Sequence, residues 1–155
     1  MSQKEALEIA QVWKYPPPFD FYDMTADIED YEEIISPAKR GEHYFSIKQE
    51  GELVAFFCIF IFENKSDEFE FGIGLRPDLT GQGLGLTYNQ LVINYIRENY
   101  LVKKIWLSVA DFNLRATKVY ERAGFKYQYK KIQKTNGSEY SFTVMNLDIS
   151  LEEEK

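Results

Sequence analysis

Between residues 68 and 110 the hydrophobic period of the chain changes twice, and few architectures accommodate that. The run "EFEFGIGL" (68–75) puts Phe69, Phe71, Ile73 and Leu75 on alternate positions, which predicts a strand. From Gly83 to about residue 98, Leu84, Tyr88, Leu91, Val92, Tyr95 and Ile96 fall on one helical stripe. The run "KIWLSVA" (104–110) alternates again through Ile105, Leu107 and Val109. A strand, a helix and a strand joined so closely predict two parallel neighbours in one sheet. The corner between the first strand and the helix, "RPDLTGQGLGL" (76–86), carries Gly81, Gly83 and Gly85. Two more glycines, Gly72 and Gly74, lie inside the strand before it, where glycine marks a bulge or a close backbone approach.

The remaining segments build around this unit. Ala6, Ile9, Ala10 and Trp13 follow the helical period, with Ser2 and Glu5 spaced as a capping box. Pro16, Pro17 and Pro18 form a stiff connector. A second, strongly acidic helix is expected over 27–35, ended by Ser36-Pro37. Strands are expected over 43–49 and 53–62, with "ENKSD" as the loop before the strand at 68. A helix over 113–123 stops at Gly124, and Asn136-Gly137 predicts a type I′ hairpin between two last strands. The order gives one mixed α/β domain over 1–155 with a single sheet.

Net charge is −7, unevenly divided: residues 1–70 carry 16 acidic and 6 basic groups, residues 71–155 carry 9 and 12. So acidic a chain makes a poor nucleic-acid binder. The split suits an anionic ligand on the second half and a cationic one facing the first; ordinary solvated surface explains it equally well. No apolar run reaches the roughly 20 residues of a membrane span, and the first residues lack a signal-peptide pattern. Cys58 is the only cysteine, so no internal disulfide forms, and a reducing cytoplasm is the expected location.

Glycines at a strand-to-helix corner let a phosphate sit against helix N–H groups that lack internal partners. A Walker loop would need lysine where Leu86 stands, and the dinucleotide fingerprint would need Gly-x-Gly-x-x-Gly. The loop alone is weak evidence. Downstream, however, "LSVADFNLRATKVYERAGF" (107–125) aligns Asn113, Ala116 and Tyr120 along a helix entrance and one of its faces. With both motifs in view, residues 68–126 resemble the GNAT superfamily of acyl-CoA-dependent N-acetyltransferases, specifically its ribosomal-protein and small-amine branches. "RPDLTGQGLG" resembles the family's Q/R-x-x-G-x-G/A loop, and the later block its L-x-V-x-x-x-N-x-x-A-x-x-x-Y-x-x-x-G-F pattern.

The resemblance implies a central mixed, mostly antiparallel sheet splayed in the middle, flanked by about four helices and ending in a C-terminal hairpin. It implies acetyl-CoA as cosubstrate and no metal. Backbone N–H groups of the loop, drawn from Thr80, Gly81, Gln82, Gly83, Leu84, Gly85, Leu86 and Thr87, would hold the pyrophosphate. Gly74 and Leu75 would pair with the pantetheine arm, and Asn113 would touch that arm or fix the slot. Tyr120 would stand near the sulfur as general acid. A neutral amine attacks the thioester directly, so a base is needed, and Glu70 and Glu68 are the candidates, unless water carries the proton to bulk. Two positions depart from the pattern. Thr80 replaces the loop's usual Gln or Arg, and Ser108 stands where some relatives carry a glutamate. The chain also starts at the family's first helix, which leaves a sheet edge open or filled by a partner.

The acceptor is expected to be a small cationic amine or a peptide N-terminus, with neither nucleic acid nor membrane as partner and room for a homodimer. A non-catalytic acyl-CoA-binding or sensing module is the competing reading, and a nucleotide-binding domain is a third. His43, the one histidine, has nothing in the sequence to orient it as a base. Trp13, Tyr15, Phe19, Phe21 and Tyr22 around the prolines either line an acceptor pocket or simply pack an early loop.

Overall fold

The computed structural model describes residues 1–149. Helix α1 (Gln3–Gln11) starts at a complete capping box, Ser2 and Glu5 each receiving the other's backbone N–H. Two 3-10 turns, Phe19–Tyr22 and Met24–Ala26, lead to α2 (Ile28–Ile35), which is capped by Asp27. The four-residue α3 (Pro37–Arg40) follows, with Pro37 in its first turn where no N–H is needed. Then come β1 (Tyr44–Gln49), β2 (Glu52–Phe62), β3 (Lys65–Leu75), α4 (Gly85–Asn99), β4 (Lys104–Ala110), α5 (Leu114–Arg122), β5 (Lys126–Thr135) and β6 (Ser138–Asp148).

The six strands form one sheet in the order β1-β2-β3-β4-β6-β5. Every neighbouring pair is antiparallel except β3 and β4, which are parallel. That parallel pairing covers only Glu68–Glu70 against Lys104–Trp106. Beyond it β3 stays on β2 as far as Leu75, and β4 stays on β6 as far as Ala110. The sheet therefore opens into a wedge between residues 71–75 and 107–110.

Helices α4 and α5 cover one face, where Val92, Ile93 and Ile96 pack with Phe69, Phe71, Ile105, Leu107 and Phe125. Helices α1 and α2 cover the other face over β1 and β2, through Ile9, Trp13, Ile34, Tyr44 and Phe56. Both faces of β2 are thus buried, which explains its unbroken apolar run.

Three expectations change. The "ENKSD" segment is not a loop: β3 begins at Lys65, paired with Phe62, leaving a two-residue turn. The buried stripe of α4 runs through Tyr88, Asn89, Val92, Ile93 and Ile96, while Leu91 is 43% exposed. Finally, Gly72 and Gly74 mark no bulge, because they pair in regular register with Cys58 and Phe56. The irregularity of that ladder lies at Ile61/Phe62. The two glycines instead admit their neighbours' side chains: a Cβ on Gly74 would overlap the Phe56 ring, and one on Gly72 would lie 3.1 Å from Cys58 Sγ.

Candidate active site

The wedge and the glycine corner meet at the C-terminal end of β3. Arg76 forks onto Asp78 (2.6 and 3.1 Å) and holds the turn at Pro77–Leu79. Gly81 and Gly83 then take φ of +74° and +78°, a region that side chains strongly disfavour. Gly85 is different. It opens α4 at an ordinary φ, and a Cβ there would meet Val119 of α5 at 3.4 Å, an ordinary contact.

The loop's polar side chains are tied to its own backbone. Thr80 Oγ1 donates to the Pro77 carbonyl (2.8 Å), and Gln82 Nε2 donates to the Asp78 carbonyl (2.7 Å). The N-cap of α4 is Leu84, which offers no capping side chain. The first helical bond runs from Tyr88 N–H to Leu84 O, so the amides of Gly85, Leu86 and Thr87 have no helical acceptor. The result is an uncapped ring of N–H donors with the positive end of a helix dipole behind it, suited to a pyrophosphate. Residues 80–87 are brought together as the sequence predicts. One cation joins them that the sequence reading missed: Arg115 Nη1 would lie 3.2 Å from a Cβ on Gly81, and its guanidinium sits 4.3 Å over the Phe19 ring.

Backbone groups of successive strand residues point to opposite edges. Because Arg76 N–H donates to Val54 O on β2, Ile73 and Leu75 direct theirs into the wedge. The Leu75 carbonyl there already accepts the Tyr15 hydroxyl at 2.6 Å, whereas Gly74 faces β2. An extended amide chain would therefore pair chiefly with Ile73.

Across the wedge, Asn113 caps α5 by accepting Ala116 N–H (3.1 Å), and its Nδ2 donates to the Tyr22 hydroxyl (3.1 Å). Tyr120 lies two turns further along the same face. Its ring packs edge-on to Phe71 and Phe125, with centroids at 6.4 and 6.0 Å. Burial, reinforced by the nearby Tyr22 and Cys58, pushes its phenol well above the usual tyrosine range, so it keeps its proton at neutral pH.

The two glutamates are separated. Glu68 is buried where the strands are still paired, taking Trp106 Nε1–H at 2.8 Å and Lys65 Nζ at 3.5 Å. Glu70 stands at the last pair, opposite Trp106, where the wedge begins. Around that mouth carboxylates gather: the Cys58 thiol feels Glu33, Glu70 and Asp30 together. Asp30 is pushed up to about 6, by burial first and then by Asp27, Glu33 and Glu29. His43 is remote from the wedge, its Nδ1 3.2 Å from the Ile59 carbonyl and its ring stacked on Phe60. Cys58 is a free thiol that desolvation pushes up to about 12, an inert group.

The segment from Tyr15 to Asp27 straps the open end of the wedge. At one end it holds Leu75, as above, and at the other it grips the β5–β6 turn. There Asn136 Nδ2 donates to Phe21 O (2.8 Å), and Asp27 Oδ2 accepts from Asn136 N–H and Thr135 Oγ1. Among the described residues no group of His, Cys, Asp and Glu is arranged to hold a metal, and no helix is long and apolar enough to cross a membrane.

A splayed sheet with an uncapped anion loop beside it defines an acyl-CoA transferase site, and comparison with known proteins agrees. Residues 5–125 match the Acetyltransferase (GNAT) family. The chain belongs to that family: it is an enzyme that moves an acetyl group from acetyl-CoA to a primary amine. It is 27% identical over 108 residues to a spermine/spermidine N(1)-acetyltransferase of Bacillus subtilis (strain 168), covering 64% of this chain and 71% of that one. Its fold superposes on a spermidine N-acetyltransferase SpeG chimera from Vibrio cholerae and hSSAT, with a TM-score of 0.79 at 19% identity over 100% and 96% of the two chains. An aminoglycoside acetyltransferase, AAC(6')-Ib, in complex with coenzyme A gives 0.74 at 17% identity over 100% and 95%.

Proposed function

We propose that this enzyme acetylates a small polycationic amine, a polyamine in the first instance, whose charged arms lie along the carboxylates at the mouth of the wedge. One observation carries the reading: carboxylates of α2 and β3 meet around Cys58. Its β1 partner Tyr44 donates to Glu33 at 2.6 Å, its β3 partner Gly72 stands two residues from Glu70, and Asp30 lies one turn before Glu33 on α2. Each unpaired ammonium group of a polyamine would find a carboxylate there, while the nitrogen to be acetylated faces the thioester. The similarity to the Bacillus subtilis enzyme supports the same acceptor class. A cytoplasmic setting suits the single free thiol and the need for acetyl-CoA.

In this reading acetyl-CoA binds with its pyrophosphate on the N–H groups of residues 80–87, with Arg115 as counter-charge. Its pantetheine arm lies along the open edge of β3 from Ile73 to Leu75. An alkyl ammonium has a pKa of about 10.4, so the acceptor must lose a proton before attack. Glu70, at the mouth, is the base; Glu68 serves the sheet, bonded to Trp106 and Lys65. The oxyanion forms where the Ile73 N–H faces the wedge, and that donor is fixed before the reaction begins. As the carbon–sulfur bond breaks, Tyr120 gives its proton to the departing thiolate, whose conjugate acid resembles cysteine at a pKa of about 8.5.

A thiol-release assay with spermidine, spermine, an aminoglycoside and an N-terminal peptide tests the reading. We expect turnover with the two polyamines and loss of about 100-fold in kcat for Tyr120→Phe, with KM for acetyl-CoA little changed. Acetyl-CoA binding without CoA release from any amine would point to the sensing module. Turnover of the peptide alone would overturn the choice of acceptor.

A further inference from the structure

We propose that Tyr15 is a binding residue for acetyl-CoA: its hydroxyl oxygen receives the amide N–H nearest the thioester and so sets how far the acetyl group lies along β3. The inference rests on the path along β3 given to the cosubstrate's arm above.

The Tyr15 hydroxyl donates to the Leu75 carbonyl at 2.6 Å, a contact that spans 60 positions of the chain. Gly74 and Arg76, on either side of Leu75, direct their backbone groups to β2. The Leu75 carbonyl therefore points the other way, and the phenol oxygen bonded to it lies in the wedge. The residue is fixed from behind as well, since its backbone N–H donates to Asp23 Oδ1 at 2.9 Å. Burial, reinforced by the charge of Asp23, pushes the phenol well above the usual tyrosine range. It keeps its proton at neutral pH, so the bond to Leu75 runs in one direction.

A phenol oxygen accepts as well as donates. Among the described residues nothing donates to that of Tyr15, although the residue is half-buried. An acceptor site thus faces the slot at the place where the arm passes.

The spacing suits one group of that arm. Ile73 N–H, which holds the thioester oxygen, and Leu75 C=O lie on the same edge of β3, roughly 7 Å apart. Four bonds separate the thioester carbon from the nearest amide nitrogen of CoA, roughly 5–6 Å when extended. With the oxygen on Ile73, that N–H arrives beside Leu75, on the way to the loop at 80–87. In a bare strand it would pair with the Leu75 carbonyl; here it meets the phenol standing in front. The chain from amide N–H to Tyr15 to Leu75 runs donor to acceptor throughout, so each bond polarises the next. Sequence alone leaves Tyr15 among aromatics that line an acceptor pocket or pack a loop. Its hydroxyl instead reaches the cosubstrate's side of the wedge.

Tyr15→Phe keeps the ring and removes the hydroxyl. Equilibrium binding of CoA and of ADP 3′-phosphate, which is CoA without its arm, reads the effect. The dissociation constant for CoA should rise about fivefold, the worth of one neutral hydrogen bond, while that for ADP 3′-phosphate stays within about twofold. KM for acetyl-CoA should rise in step and kcat change by less. Asn136→Gly is the control: it releases the far end of the strap from Phe21, suits the turn's positive φ, and should leave both constants unchanged. An unchanged or tighter CoA complex in Tyr15→Phe would overturn the proposal, because the arm then has no use for the hydroxyl. Equal weakening of both ligands, or the same loss in Asn136→Gly, would overturn it too and leave Tyr15 an anchor of the strap. The underlying path fails separately: wild-type enzyme that binds CoA no tighter than ADP 3′-phosphate gains nothing from β3. Neither ligand is an acceptor, so the choice of polyamine is untouched by either result.

Discussion

Arg115 shows how a residue can stand in plain view and still be missed. It lies inside the block "NLRATKVY", yet what gives it a role is contact with Gly81, 34 positions earlier, and with Phe19. Tyr22 reaches Asn113 across 91 positions. Asn113 as a helix cap and Tyr120 on the same helical face were legible because local geometry sets both. Long-range partners depend on the sheet that brings them together. Arg115 is an exposed side chain, so its attraction to a pyrophosphate is screened and is worth about 1 kcal/mol. Arg115→Ala should therefore raise KM for acetyl-CoA about fivefold and leave kcat nearly unchanged, as initial-rate kinetics would show.

At the scale of elements, what the sequence reveals is period and punctuation. The alternations at β3 and β4, the capping box of α1 and the Asn136-Gly137 hairpin all appear as read, the last with φ of +51° and +77°. The meaning of Gly72 and Gly74 was not legible, because a glycine within a strand signals bulge and close approach alike. Only the partner strand decides between them, and here it brings Phe56 across Gly74. That ring is itself pinned by Trp13 at 6.1 Å, so it has little room to yield. Gly74→Ala should cost about 1–3 kcal/mol by overpacking, read as a lower melting temperature. Gly72→Ala meets only the end of the Cys58 side chain and should cost less.

At the scale of the whole molecule, the acidic first half and basic second half become two sides of one wedge: carboxylates of α2 and β3 at its mouth, donors and Arg115 at its far end. This gives the acceptor side a pH dependence. Asp30, held at about 6, is ionised above that pH and protonated below it. KM for a polycationic acceptor should rise as pH falls from about 7 to 5, and Asp30→Asn should flatten that limb of the profile. For folding the sign is opposite. A carboxyl raised above its unfolded value contributes stability below the unfolded pKa, and that contribution is lost as pH rises through about 6. The narrow β3–β4 seam has a consequence for how the chain is made. Strands β1 to β3 complete their ladders within residues 44–75, and β4 to β6 within residues 104–148. Each leaf is a nearly local meander, and three residue pairs of parallel ladder join them. During synthesis the first leaf can close before the second has left the ribosome, and the slow, non-local event is the docking of two finished leaves. The cleft that receives the cosubstrate is the gap left at the line where they meet.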